Sequence, residues 1–523
     1  MLRALIATCV ATCALLGIGS SAADANVLLV CPNPGSSASC PSGASSSIQQ
    51  AVNQAGSGDW VLVAPGDYHE RGAPDAGVWI TQPNLHLRGM NRATVIVDGT
   101  KPGTSGPCSQ GASQQDESTG RNGIEVWKTS GTWIENLTVC NYLADSTGQG
   151  GNEIWWNGGD GSGQIGMGAY WGNYITGTTT YYDPSDPNQA AYGIFVSNAG
   201  DLSIPSSLNH DYASNMNDSA FYVGACQQQC NTTLNDVHAE NSALGYSGTN
   251  AGGNLTIKNS EWDNNRSGIV PNSLNNDDAP PPQDGACPGT QTPCTTIVGN
   301  DVHHNNNPNT PGQGITATAP TGTGIELSGG EFDIVRKNTV HDNGAWGIVV
   351  HDYPDTEQPP SSGVSSCQGA VGAASAPLCY FIAHGNVIDD NKLFRNGGFG
   401  NPTNGDLGSQ PAAPDPRNCF YSNYDSKGPL TTDPPDLQTI DGQPCSLPGV
   451  GDSGPLAAEL VCDSGAFGQC PAGQGIDSYP QNTGVSMAPF ATADAQPSMP
   501  NPCAGVPDDA WCQGGARTAS APR

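Results

Sequence analysis

Short apolar segments recur along the middle of the chain, and each opens with a glycine. In residues 193–196 (GIFV) and 324–327 (GIEL), Ile and the apolar residue two positions later would share one face of a strand, and the residue between them would lie on the opposite face. Gly245 and Gly268, which open two such segments, lie 23 residues apart. Alternation over so few residues at a period near 23 predicts short β-strands repeated once per coil.

A second repeat falls in the predicted turns, where Asn or Asp is followed by four residues and then Asn. Asn tolerates the left-handed backbone of a tight bend, and stacked Asn side chains hydrogen-bond between coils. One repeated turn frame favours a parallel β-helix, whereas the alternative, a β-sandwich, requires strands joined by two-residue turns. The six pairs are Asn136/Asn141, Asp236/Asn241, Asn259/Asn264, Asn300/Asn305, Asn338/Asn343 and Asn386/Asn391.

The N-terminal part carries a family resemblance. Residues 47–52 (SIQQAV) predict a short helix capped by Ser47. Residues 58–70 (GDWVLVAPGDYHE), 85–89 (LHLRG) and 95–99 (VIVDG) follow it. These segments resemble the capping helix and first coils of the pectin-lyase-like superfamily of right-handed β-helix proteins. The resemblance covers about residues 45–408 and implies an all-β fold, a right-handed parallel β-helix whose open end is covered by the helix.

Three regions are predicted. Residues 1–25 have a positive start at Arg3, a short apolar run and a small-x-small end, which indicates a signal peptide and a secreted, extracellular protein. A lipoprotein anchor at Cys13 is the alternative. Residues 26–408 are predicted to form the β-helix. Residues 409–523, rich in Pro, Gly, Ser and Asp, are predicted to form a disulfide-pinned C-terminal cover and, from about residue 480, a loosely ordered tail.

The cysteines predict disulfides. Of 18 cysteines, Cys9 and Cys13 lie in the predicted signal peptide, and the rest form neighbouring pairs in the sequence. Export permits disulfides, and a zinc site would require clustered ligands. The predicted pairs are Cys31/Cys40, Cys108/Cys140, Cys226/Cys230, Cys287/Cys294, Cys367/Cys379, Cys419/Cys445, Cys462/Cys470 and Cys503/Cys512.

The charge balance restricts the partners. A net charge of −31 with only 17 Lys and Arg argues against a nucleic-acid partner. A polyanionic substrate would be repelled unless calcium or a local basic cluster intervened. No segment after the signal peptide is long and apolar enough to predict a membrane span. The protein is expected to be a monomer.

The outward residues of the apolar segments predict a saccharide groove. When Ile and Val point into the tube, the residues between them point out, and equivalent positions lie about 4.8 Å apart on neighbouring coils. Aromatic rings at one end of this column, which stack on sugar rings, are Phe195, Tyr222 and Trp127.

Acidic residues at the other end of the column predict catalysis. Glu326 is outward and followed by two glycines, and His351 and Asp352 leave the equivalent strand of the next coil. Asp218 and Asp333 are expected on the same face. Two carboxylates about 5 Å apart suit a retaining glycosidase, and a wider gap suits an inverting one.

Lyase or epimerase chemistry, the alternative to hydrolysis, would depend on basic side chains or calcium. A lyase or epimerase needs a base beside an acidic sugar, with Lys, Arg or calcium to neutralise its carboxylate. Lys258 and Arg266 are the candidate substrate-binding cations. Asp277, Asp278 and Asp284, in the insertion between Gly268 and Gly324, offer hard oxygen ligands that suit calcium, and a solvated loop is the alternative.

The sequence predicts a secreted carbohydrate-active protein that acts on a polysaccharide or cell-surface glycan. Because cations are scarce and carboxylates abundant, glycan cleavage of the glycoside hydrolase type is favoured over lyase or epimerase chemistry. A non-catalytic glycan-binding or cell-surface structural protein is the alternative from a different class.

Overall fold

The computed structural model gives the placement of most of the chain. The described residues are 25–73, 75–103, 106–116, 120–159, 166–183, 189–226, 229–275, 279–284, 287, 293–312, 316, 318–356, 367–369, 371–372, 378–411, 418–440, 451–464, 496–518 and 522. Residues 1–24 of the predicted signal peptide lie outside the described residues.

Three long parallel sheets, which we call I, II and III, account for most described strands, and the chain visits them in turn once per coil. Sheet I contains Val27–Val30, Trp60–Val63, His86–Gly89, Thr132–Glu135, Tyr170–Asn173, Ser206–Asn209, Thr232–Asn235, Leu255–Lys258, Thr295–Val298, Ile334–Arg336, Val387–Asp389 and Cys419–Tyr421. Sheet II contains Ala76–Ile80, Asn122–Trp127, Asn152–Asn157, Tyr192–Ser197, Ser219–Gly224, Leu244–Thr249, Ser267–Asn272, Thr323–Ser328, Trp346–His351, Gly405–Ser409 and Thr432–Asp433. Sheet III contains Gly66–Tyr68, Val95–Asp98, Thr138–Cys140, Thr176–Thr178, Tyr212–Ser214, His238–Glu240, Glu261–Asp263, Asp301–His303, Thr339–His341, Lys392–Phe394 and Tyr424–Asp425. This arrangement confirms the predicted right-handed parallel β-helix.

Smaller elements decorate the solenoid. The α-helices are Ile48–Gln54, Leu437–Ile440 and Pro455–Ser464, and the 3-10 helices are Ala112–Gln114 and Pro282–Asp284. Two small antiparallel sheets contain Tyr353–Asp355, Val371–Gly372 and Cys379–Phe381, and Cys512–Gln513 with Ala516–Arg517. No helix within the described ranges has the length and apolarity needed to cross a membrane.

The tube is filled by side chains stacked in register. Ile154 pairs with Ile124 and Ile194, and Ile325 pairs with Ile269. All five are fully buried, as is Ile348 one coil further along. The predicted column of inward isoleucines is confirmed, and burial of each such side chain contributes about 1.5–3 kcal/mol.

Stacked amides bond one coil to the next at the turns. Asn305 donates from Nδ2 to Asn343 Oδ1 at 3.2 Å, and Asn343 donates to Asn396 Oδ1 at 3.1 Å. The Asn residues of the predicted turn frame, however, do not all occupy the same position of the turn. Some occupy the left-handed residue and others the ladder residue that follows it. Asn264 is itself left-handed with φ of 55°, whereas the ladder partner of Asn305 in that coil is Asn265, at 3.0 Å.

The N-terminal helix confirms its prediction. Ser47 is the N-cap, and its Oγ accepts a hydrogen bond from Gln50 N at 3.2 Å. The Glu70 carboxylate accepts from Ile48 N at 2.6 Å and from Ser47 Oγ at 2.8 Å. These bonds satisfy donors of the first helical turn, which otherwise have no intrahelical partner.

The β-helix continues past its predicted end at residue 408. Strands Cys419–Tyr421, Tyr424–Asp425 and Thr432–Asp433 add a further coil to all three sheets. Asn418 and Asn423 repeat the Asn-x4-Asn spacing in this coil, so the sequence carried a signal for it. The predicted boundary between β-helix and C-terminal cover is therefore wrong by one coil.

The last described segment packs back on the first coils. Met499 N donates to Asn136 Oδ1 at 2.7 Å, and Arg88 donates to Ala504 O at 2.7 Å. Trp511 is fully buried in a cluster that includes Trp60. Residues 496–518 are thus docked on the first coils, and the prediction of a loosely ordered tail is wrong for them. The sequence did not indicate this docking because the apolar residues of the segment follow no periodic pattern.

Six predicted disulfides are present, and two more are partly tested. Cys419 and Cys462 are both disulfide-bonded, but their predicted partners Cys445 and Cys470 lie outside the described residues. The bonds present are Cys31–Cys40, Cys108–Cys140, Cys226–Cys230, Cys287–Cys294, Cys367–Cys379 and Cys503–Cys512.

Adjacent residues of one strand test the inward and outward assignment. Ile297 is fully buried in the tube, and Thr296 beside it is half-buried on the exterior. Ile297→Asp should lower the free energy of unfolding by ~3 kcal/mol or more, because it buries an unpaired charge. Thr296→Asp is the matched control and should change it by less than ~1 kcal/mol. Urea denaturation measures both, and equal losses would contradict the assignment.

Candidate functional site

A cleft of about 550 Å³ lies on the outer face of sheet II. Its floor runs from strand Tyr192–Ser197 to strand Trp346–His351. Its walls come from Thr316 and residues 318–320, from the small sheet that contains Tyr353–Asp355, and from helix Pro455–Ser464. Leu456 and Leu460 of that helix pack against Trp346 and Val349, which fixes this wall on the solenoid.

The strand register brings Glu326 and His351 together. Ser328 pairs with His351, so the histidine lies two residues along and one coil away from Glu326. Alternation turns both side chains outward into the cleft. His351 Nε2 lies 2.8 Å from Glu326 Oε1, and Ser267 Oγ donates to Glu326 Oε2 at 3.2 Å. The predicted pairing of Glu326 and His351 is present.

The hydrogen bonds of His351 define its protonation. Its Nδ1 lies 2.9 Å from the Asp352 carbonyl oxygen, which only accepts, so Nδ1 carries a proton. Burial lowers the pKa of His351, but the hydrogen bond and charge of Glu326 outweigh burial and raise the pKa above its ordinary value. The imidazole is therefore held toward its cationic form beside the Glu326 carboxylate.

Asp352 is a second carboxyl group in the cleft. Burial raises its pKa to about 6, against the hydrogen bond from Ala383 N and the charges of His351 and His384. Its Oδ1 accepts that bond from Ala383 at 2.9 Å. An acid with this pKa keeps its proton in mildly acidic solution.

Two residues that sequence reasoning missed stand beside Asp352. Gln410 Oε1 accepts from the Asp352 backbone N–H at 2.9 Å. Burial and the Asp352 charge raise the pKa of Tyr380, which also hydrogen-bonds the Gln410 side chain. Tyr380 follows a long insertion and Gln410 follows the last strand of the recognised repeat, so neither had a frame position that indicated the cleft.

Aromatic side chains flank the acidic end, in an arrangement that differs partly from the prediction. Tyr222 and Asp218 line the cleft as predicted. Tyr192, which was missed, also lines it and donates to Asp218 Oδ2 at 2.8 Å. Phe195 stacks on the Tyr192 ring at 4.3 Å and supports it from outside the cleft lining.

Four other predicted catalytic or substrate-binding residues lie away from the cleft lining. Trp127 stacks on Trp79 at 5.6 Å, towards the N-terminal end of sheet II. Lys258 ends a strand of sheet I, which is a different face. Arg266 is half-buried and donates to Pro308 O at 3.0 Å and to Thr321 Oγ1 at 3.1 Å, so it holds residues next to one wall.

The fourth, Asp333, occupies a turn corner that precedes a sheet I strand, where the two-residue alternation does not apply. Its Oδ1 accepts from Thr295 N at 2.9 Å, and its backbone N–H donates to Asn386 Oδ1 at 2.8 Å. Asn386 in turn donates to Asn418, so Asp333 takes one position of an amide ladder. Its predicted place on the cleft face is wrong.

The predicted calcium loop is only partly described. Asp284 ends the 3-10 helix Pro282–Asp284 and does not line the cleft. Asp277 and Asp278 lie outside the described residues. The calcium site therefore stays a prediction.

The cleft lining is acidic. Among its described residues the charged or titrating groups include Asp218, Glu326, Asp352 and His351, and none is Lys or Arg. An anionic sugar would thus meet carboxylates without a compensating lysine or arginine, whereas hydroxyl groups would find many acceptors.

The comparisons with known proteins add a likeness of architecture. No protein-family model matches the chain, and no curated protein matches it. Among solved structures, the chain is similar to a mannuronan C-5 epimerase A-module from Azotobacter vinelandii, with 13% identity over 74% of this chain and 86% of that chain and a TM-score of 0.37.

Two further solved structures are similar at the same level. One is a mannuronic acid-specific polysaccharide family 6 lyase from human gut microbiota, with 12% identity, 74% and 80% coverage and a TM-score of 0.41. The other is an endo-xylogalacturonan hydrolase from Aspergillus tubingensis, with 10% identity, 78% and 93% coverage and a TM-score of 0.40. The β-helix assignment rests on the strand register of this chain, and no statement about its activity follows from these likenesses.

The place of Asp333 in the turn ladder predicts a pH-dependent effect on stability. Burial raises its pKa from 3.8 to about 7. Because the folded-state pKa is raised, the protonated form favours folding at low pH, and this stability is lost as pH rises from about 4 through about 7. Asp333→Asn should therefore raise the free energy of unfolding by up to ~4 kcal/mol at about pH 8, and by little at about pH 4.

Urea denaturation at both pH values measures this effect. Asp390→Asn, which makes the same substitution in an exposed turn, is the matched control and should change the free energy of unfolding by less than ~1 kcal/mol at either pH. An Asp333→Asn variant that is less stable than wild type at both pH values would contradict the assignment.

Proposed function

We propose that this protein is a secreted enzyme that hydrolyses glycosidic bonds of an uncharged polysaccharide in the sheet II cleft. The observation that carries the proposal is the Glu326 carboxylate, held between Ser267 Oγ and His351 Nε2 and followed on the next coil by the Asp352 carboxyl group. Two positioned carboxyl groups are the usual machinery of glycoside hydrolysis.

The shape and lining of the cleft support a chain-like sugar substrate. Its floor crosses six strands of sheet II, which corresponds to roughly 24 Å at the spacing of neighbouring strands. Tyr222 and Tyr380 offer rings against which sugar faces stack. The absence of Lys and Arg from the described lining disfavours uronic acids and favours neutral sugars.

The two carboxyl groups take different roles in the proposed reaction. Asp352, whose pKa is raised to about 6, is the general acid that protonates the glycosidic oxygen as the C–O bond breaks. Glu326 acts at the sugar carbon, either directly or by removing a proton from the attacking water. His351 is a positioning residue, because its Nε2 holds one oxygen of the Glu326 carboxylate.

Disulfides support the proposed location. Six cysteine pairs are bonded in the described residues, and such bonds persist in oxidising compartments.

Intact mass measurement of the protein recovered from culture medium should give the chain without residues 1–25. A cell-retained chain that keeps these residues would contradict secretion.

The reaction class is tested with a panel of polysaccharides. New reducing ends without new ultraviolet absorbance indicate hydrolysis, the expected result on neutral glycans. Absorbance from a new C=C bond indicates a lyase and would contradict the proposal. Retention on glycan columns without either signal would establish a binding protein in place of an enzyme.

Replacement of Glu326 tests the proposed machinery. Glu326→Gln keeps the shape of the side chain and removes its negative charge and basicity, so turnover should fall roughly a hundredfold or more while thermal stability changes little. Glu240→Gln, on sheet III and outside the cleft lining, is the control and should retain wild-type turnover. Near-wild-type turnover of Glu326→Gln would remove Glu326 from the mechanism.

The raised pKa of Asp352 predicts the shape of the pH profile. If Asp352 supplies the proton, kcat/KM should fall as pH rises through about 6, because the group then loses its proton. Asp352→Asn should be slow and should lack this descending limb. A limb of unchanged midpoint in Asp352→Asn would assign the proton to another group.

A further inference from the structure

A group of histidines and carboxylates lies on the outer face of sheet III, separate from the cleft on sheet II. His303 pairs in register with His341, and Asp301 faces outward from the same strand as His303, two residues earlier. Ligand atoms of Asp301, His303 and His341 all lie within 4.8 Å of one another.

Stacking fixes the two imidazole rings. The His303 and His341 rings stack at 4.9 Å with an interplanar angle of 14°, and Phe394 of the next coil stacks on His341 at 4.5 Å and 7°. One nitrogen of each ring lies within 4.8 Å of the other and of an Asp301 carboxylate oxygen. His341 Nε2 is already 3.1 Å from Asp301 Oδ1.

We propose that Asp301, His303 and His341 bind a divalent transition-metal ion of the Zn²⁺ type, which joins two neighbouring coils. Two imidazoles and one carboxylate are a ligand set that such ions prefer, at bond lengths of about 2.0–2.2 Å. Binding would require the side chains to turn from their present hydrogen bonds, and they have room to do so because Asp301 is about half exposed and both histidines are partly exposed.

The charges around the three residues fit a cation. Asp301 supplies one carboxylate, whose Oδ1 lies 3.1 Å from His341 Nε2. Glu261 adds a second carboxylate, whose Oε1 lies 3.3 Å from His303 Nε2. Both acids would stabilise the bound ion.

A competing set in the same place is less suited to a metal. His304, His341 and Asp342 also bring ligand atoms together, but Asp342 accepts two hydrogen bonds from the Arg395 guanidinium, at 2.5 Å each. A guanidinium occupies both carboxylate oxygens and repels a cation. The Asp301 carboxylate has no such arginine partner among the described ion pairs.

The position of the site gives the ion a structural role. Asp301 and His303 come directly after the inserted segment that joins strand Ser267–Asn272 to strand Thr295–Val298, and His341 belongs to the next coil. A metal bridge between them would hold these coils together where the repeat is interrupted. Because the ion would bind the folded chain, it should raise the melting temperature.

The test uses the full-length mature protein stripped with a chelator. Zn²⁺ titration by calorimetry should show one saturable site per chain, and Co²⁺ should give a visible absorption band that Zn²⁺ removes. Zn²⁺ should also raise the melting temperature. His303→Ala and His341→Ala should each weaken Zn²⁺ binding at least tenfold, and Asp301→Asn, which preserves volume, should weaken it measurably.

The matched control is His210→Ala, since His210 forms a comparable surface pair with Asp236 at 2.6 Å. This variant should bind Zn²⁺ like wild type. Circular dichroism of each metal-free variant establishes that it is folded. No saturable Zn²⁺ binding by the wild-type protein, or undiminished binding by the His303→Ala/His341→Ala double variant, would overturn the proposal.

Discussion

The amide ladders at the turns are the interaction on which the rest of the molecule depends. Asn343 donates to the Val302 carbonyl at 3.2 Å and to Asn396 Oδ1, so it binds the coils on both sides. A slip of one residue would exchange the inward and outward side chains of a strand, because the side-chain period is two. By holding each bend above the previous one, the ladders set which residues fill the tube and which face solvent.

A fixed register also converts short sequence motifs into clusters. Glu326 and His351 are 25 residues apart in the chain but meet at 2.8 Å, because their strands are neighbours in sheet II. His303 and His341 stack in sheet III for the same reason. The solenoid therefore needs only one or two functional residues per strand to assemble a site, and its separate faces can carry separate sites.

Sequence reasoning succeeded where a residue follows the repeat and failed where it does not. The Ile325 column and the Glu326–His351 pair follow from period-two alternation and from equivalent strands on adjacent coils. Tyr380 reaches the cleft from an inserted hairpin whose position depends on tertiary contacts. Asp333 precedes its strand at a corner, so alternation misplaced it. The docked segment at residues 496–518 lacks any periodic pattern, and its anchor Trp511 gives no local signal of its partner.

Asp333 and Asp352 show why a raised pKa alone does not identify a functional acid. Burial is the largest cause of the raised pKa in both residues. Asp333 is enclosed in a turn ladder and faces the backbone of Thr295, so its ionisation opposes folding and no substrate reaches it. Asp352 lines the cleft beside Tyr380 and His351, and in the proposed mechanism its proton passes to a bound sugar. The same desolvation opposes folding at Asp333, whereas at Asp352 access to the cleft makes the raised pKa usable in the proposed reaction.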